Sequence, residues 1–152
     1  MEQINLEQTE FRSESDLKSY LVSFVLEYAS TMNCIEMETF LKQESGKTKS
    51  SDLFEEYKQK YLPVFTAYCT DKKRAYGGQA GSFGCPTKYD GIEKYTEDNV
   101  VFKSSNRAEV YLKTDNDFKS EYLFVMVRKK GLWRIDSAKE RWFNSSWRNI
   151  IL

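Results

Sequence analysis

From residue 13 to residue 44 the apolar side chains fall at three- and four-residue steps: Leu17, Leu21, Val22, Phe24, Val25, Tyr28, Ala29, Met32 and Ile35. That period predicts one long amphipathic helix. Ser13 or Ser15 can cap its first free amides, and Asp16 lies at the positive end of the helix dipole. The pattern breaks at Gly46. Ser51 or Asp52 is then expected to cap a second helix carrying Leu53, Phe54, Tyr57, Tyr61, Leu62 and Phe65. Pro63 lies inside it, lacks a backbone donor, and predicts a kink or restart near Tyr61.

Beyond residue 91 the period shortens to 2. "VVFKSS" at 100–105 and "AEVYLKT" at 108–114 read as strands, and 119–143 reads as a long hairpin turning at "RKKG". Gly131 occupies the position in that turn most in need of positive φ. Leu123, Val125 and Val127 alternate with Tyr122, Phe124 and Met126, so this strand is apolar on both faces and is expected to be covered on both. If Val110 and Leu112 face the core, then Glu109, Tyr111 and Lys113 face outward. The layout is α+β: N-terminal helices packed on one face of an antiparallel sheet of three or four strands.

Between helices and sheet lies "RAYGGQAGSFGCPTKYDG", residues 74–91, with five of the chain's seven glycines. A phosphate-binding loop needs a strand before the glycines, a Lys-Ser/Thr after them and then a helix, so this is no P-loop and no dinucleotide fingerprint. Tyr76, Phe83, Cys85, Pro86 and Tyr89 are too bulky for a plain linker. Residues 72–91 are therefore read as an ordered, shaped loop, and loops on a rigid scaffold are where recognition concentrates.

Length adds one constraint: 152 residues make a single domain, here 1–152, with 1–12 as a tail. The formal charge is zero but unevenly spread, with twelve acids against seven bases over residues 1–60 and eleven against sixteen over 61–152. The bases are scattered, which disfavours nucleic acid as a partner. No apolar stretch is long enough to span a bilayer, no export signal is visible, and Cys34, Cys69 and Cys85 form no CxxC, so a cytoplasmic, reducing compartment is expected. With no histidine in the chain, catalytic triads of the usual kind and most zinc sites are excluded. No cofactor or metal is expected. Asp136, after Ile135, is the one carboxylate singled out for acid–base work should the chain be an enzyme; its other reading is a structural acid that caps the strand end or pairs with an arginine. Glu109 and Glu121 are expected on a solvated face. Trp133 is expected in the core, and Trp147 either exposed or clamping the tail.

Gly131, Trp133 and Ile135 match a "G-x-W-x-I" hairpin that resembles the nuclear transport factor 2-like superfamily, whose sheets curl into a cone. The longer series "YCTDKKRAYG…SFGCPTKYD…AEVYLKT…YLFVMVRKKGLWRIDS" is similar to the bacterial immunity proteins of that fold, which protect a cell against polymorphic toxins. The resemblance implies a cytoplasmic, non-catalytic protein that binds and neutralises a cognate toxin domain, monomeric or dimeric. On that reading Tyr76, Phe83 and Tyr89 of the glycine loop, with Trp147 of the tail, are candidate partner contacts. The superfamily also holds small-molecule-binding domains and isomerases or cyclases with an apolar pocket in the cone. That alternative requires Asp136, Tyr111 or Tyr122 to face such a pocket.

Overall fold

The computed structural model describes residues 13–72, 85–143, 145–150 and 152. Helix α1 spans Glu14–Ser45, starts at Ser13, whose side chain accepts from the Asp16 amide, and stops at Gly46. Helix α2 spans Ser50–Tyr68. It begins slightly before the expected caps, with Lys49 at the N-cap and no side-chain cap bond, and Asp52 sits in its first turn. It runs as a single element through Pro63, so the expected restart does not occur. Leu53, Tyr57 and Tyr61 anchor the helix on one buried face, and packing of this kind offsets one missing backbone bond.

Five antiparallel strands follow in simple meander order: β1 (Glu97–Ser104), β2 (Arg107–Lys113), β3 (Glu121–Lys129), β4 (Leu132–Arg141) and β5 (Arg148–Ile150). The β3–β4 hairpin turns on Lys130 and Gly131, both at positive φ (53° and 78°), as a two-residue turn matched to strand twist requires. Register places Ala108, Val110 and Leu112 of β2 beside Tyr122, Phe124 and Met126 of β3 and Ile135 and Ala138 of β4. This face packs on Leu21, Phe24, Val25, Tyr28 and Ala29 of α1 to make the core. Glu109, Tyr111 and Lys113 point to the outer face, as the alternation implied. Trp133 is a core residue, edge-on to Phe102.

A chain of rings fills the space between α1 and the sheet. Phe24 meets Tyr68, Tyr68 meets Tyr28, Tyr28 meets Tyr89, and Tyr89 meets both Tyr122 and Phe124, at centroid separations of 4.8–6.2 Å. Burial pushes the Tyr28 and Tyr89 hydroxyls far above their ordinary pKa, so both stay neutral.

Polar groups hold the segment that delivers Tyr89. Asn33 and Glu36 of α1 bind the backbone of Lys88 and Tyr89, while Asn116 and the Tyr122 hydroxyl both donate to the Asp90 carbonyl. Gly91 follows at φ 79°, and a Cβ there would lie 3.0 Å from the Asn116 side chain, so only glycine fits this turn. A short 3-10 turn, Ile92–Lys94, then leads into β1.

Candidate partner-binding surface

The expected site residues divide. Tyr76 and Phe83 lie outside the described residues. Tyr89, expected at a partner surface, is fully buried and is corrected to a core residue. Its glycine-rich context reads as surface, but Asn33 and Glu36 pull the backbone against α1 and drive the ring inward.

Asp136 is the extra residue of a β-bulge: Val125 pairs with Ser137 and Met126 with Ile135, leaving Asp136 unmatched. Its two oxygens accept from Thr70 Oγ1 at 2.9 Å and Lys72 Nζ at 2.7 Å. Beside them, Thr70 N donates to the Ile135 carbonyl at 2.8 Å. Asp136 thus ties the strand-like segment leaving α2 to the bend in β4. Its carboxylate is paired with a lysine. Tyr122 is committed to the Asp90 carbonyl, and Tyr111 lies on the outer face.

That outer face carries an arrangement the sequence did not reveal. Glu121 is 8% exposed rather than solvated. Arg141 binds it through two parallel bonds of 3.1 Å, and the Tyr111 hydroxyl donates to the same carboxylate. Burial opposes the charge on Glu121, but Arg141 and Tyr111 together outweigh it and hold the carboxyl below its ordinary pKa. Burial and the Glu121 carboxylate push the Tyr111 phenol up to about 12. The Arg141 guanidinium also lies 4.4 Å from the Trp147 ring centroid, and Trp147 stands edge-on to Tyr111. Trp147 is half-buried and holds the segment before β5 against the sheet.

At the same end of the sheet, three rings gather from two loops. Phe118 of the β2–β3 turn contacts Trp142 and Phe143 of the β4–β5 turn, at centroid separations of 6.4 and 6.5 Å. Phe118 is 45% exposed and Phe143 61%. Arg148 stacks its guanidinium 3.2 Å from the Trp142 centroid. Phe143 adopts φ 48°, a left-handed conformation costly for a bulky residue. The turn that holds it is closed by Ser145, whose amide donates to the Trp142 carbonyl while its hydroxyl accepts from the Trp142 amide. Phe143 also borders a cleft of about 500 Å³ lined by Lys113, Asp115, Lys119 and Glu121.

Exposed aromatics with a stacked arginine, fixed on turns beside the half-buried Glu121–Arg141 ion pair, have the composition of a protein-binding hot spot. A single aromatic in a polar loop gives no periodic signal, so the sequence pattern does not mark Phe118 or Phe143. The one cue was that Phe118 interrupts the polar run "TDNDFKS".

A family model described as NTF2 fold immunity protein matches residues 21–150. No curated protein and no solved structure matches the chain. The matched span begins within α1, ends in β5 and takes in the whole sheet. The chain therefore belongs to the NTF2 fold immunity protein family.

Proposed function

We propose that this protein is a non-catalytic immunity protein of the cytoplasm that binds a cognate toxin domain and blocks it, with Phe118, Trp142, Phe143 and Arg148 as the centre of the contact. Membership of the immunity family carries the proposal. The choice of surface rests on the three clustered rings, two of them widely exposed, since a handful of aromatic and arginine anchors supplies most binding energy in protein interfaces. Two further observations support a binding role over catalysis. Asp136 is held by Thr70 and Lys72, and aromatic side chains occupy the space between α1 and the sheet.

The test is co-expression. Toxin domains from the source genome would be induced with and without this protein, and growth scored. Rescue from one toxin, with a stable complex on gel filtration, is the expected outcome. That rescue should be lost in Phe118→Ala/Trp142→Ala. If no toxin domain is neutralised, the immunity proposal fails; if rescue survives the double substitution in a folded protein, only the surface is wrong.

A further inference from the structure

The opposite end of the sheet is strongly cationic. Residues 102–109 and 127–135, which form the β1–β2 and β3–β4 tips, hold six bases (Lys103, Arg107, Arg128, Lys129, Lys130 and Arg134) and one acid, Glu109. The two tips are joined, since the Arg128 amide donates to the Asn106 carbonyl at 2.8 Å. Register sets Arg107 opposite Val127 and Val127 opposite Arg134, so these two arginines flank one valine on the outer face. Lys129, two residues beyond Val127, extends the same face.

Glu109 pairs with Lys103 at 3.5 Å. Among the described residues, Arg107, Arg128, Lys129 and Lys130 make no ion pair, and Arg134 donates to the Trp133 carbonyl. Three lysines elsewhere on the surface do have partners: Lys42 pairs with Glu56, Lys60 with Glu38 and Lys119 with Asp115. Concentrating unmatched cations at two linked turns costs self-repulsion and leaves a field that attracts negative charge.

We infer that these tips and the adjoining outer face form a second docking surface, fitted to an acidic protein surface. Resting on the immunity reading, that surface belongs to the toxin domain. Three observations favour protein over nucleic acid. The aliphatic side chains Val101 (42% exposed), Val127 and Leu132 lie among the cations, as in a protein contact. Both rings near the tips, Phe102 and Trp133, pack on each other, and Trp133 is only 3% exposed, so no stacking platform for bases is offered. The chain as a whole is neutral. Charge complementarity of this kind acts mainly on association rate and partner choice.

The probes are a fluorescent poly-L-glutamate peptide and a duplex DNA oligonucleotide of matched charge, titrated against the full chain at low and high salt. Wild type should bind the peptide at low salt and weaken at least about tenfold at high salt, as screening demands. Arg107→Glu/Lys129→Glu/Arg134→Glu should lose that binding, while Phe118→Ala/Trp142→Ala keeps it. The milder Arg107→Ala/Lys129→Ala should give an intermediate loss and serves if the triple variant misfolds by circular dichroism. Absence of peptide binding, indifference to these substitutions, or tighter binding to DNA than to the peptide would overturn the inference. None of these outcomes bears on toxin neutralisation in cells, so the two proposals fail separately.

Discussion

Asn33 on α1 binds both backbone polar groups of Tyr89, 56 residues away: its side-chain oxygen accepts from the Tyr89 amide at 3.0 Å, and its amide donates to the Tyr89 carbonyl at 2.8 Å. α1 thus treats residue 89 as a neighbouring strand would. In Asn33→Ala two buried backbone groups lose their partners, and the expected cost is about 2–4 kcal/mol. Urea unfolding should show a lower midpoint at an unchanged slope.

Phe143 supplies a test that separates stability from binding. Its φ of 48° is easily adopted by glycine, and its ring is 61% exposed. Phe143→Gly should leave the melting temperature unchanged or raise stability by up to about 1 kcal/mol. Affinity for the toxin domain should fall about tenfold or more. Thermal melts and a titration on the same preparation would read both; unchanged affinity would remove Phe143 from the contact.

The Glu121–Arg141 pair predicts a pH dependence. The Glu121 carboxyl is held below its ordinary pKa in the fold, so its contribution is complete above the unfolded value of about 4.3 and is lost as pH falls through the lower folded value. Arg141→Met removes the bidentate partner and lets burial raise that pKa. The variant should be less stable than wild type near neutrality by about 1–3 kcal/mol, the cost of stranding a buried charged group. Its acid unfolding should begin at higher pH, and the gap to wild type should narrow as Glu121 protonates.

Asp136→Asn tests the non-catalytic proposal directly. The Lys72 side chain is 40% exposed, so losing this ion pair should cost no more than about 1 kcal/mol. Toxin neutralisation should be unchanged. Loss of neutralisation by a fully folded Asp136→Asn protein would return the carboxylate to chemistry.

The elements with a clear period were legible: α1 from its three- and four-residue steps, β2 to β4 from alternation, and the hairpin from Gly131. β5 was not, because its three residues, Arg-Asn-Ile, are too few and too polar to register a pattern. Glu121 was misread for a different reason. Its partner Arg141 is 20 residues on, and only the β3–β4 register brings the two opposite each other. The expected recognition loop failed at Tyr89, where two polar side chains on a distant helix decide the burial. The cationic tips were diluted along the sequence, since Lys103 and Arg107 lie about twenty residues before the "RKK" turn; the meander makes them neighbours.

The meander order also bears on how the chain emerges during synthesis. Each strand pairs with its immediate predecessor, so the sheet can grow by adding one hairpin arm at a time, without waiting for distant partners. The long helix that covers it is made first. Leu21, Phe24, Val25 and Tyr28 therefore leave the ribosome tens of residues ahead of Val110, Phe124 and Ile135, the side chains that bury them. For that interval α1 presents a bare apolar stripe, which is the form of nascent segment that holding chaperones bind.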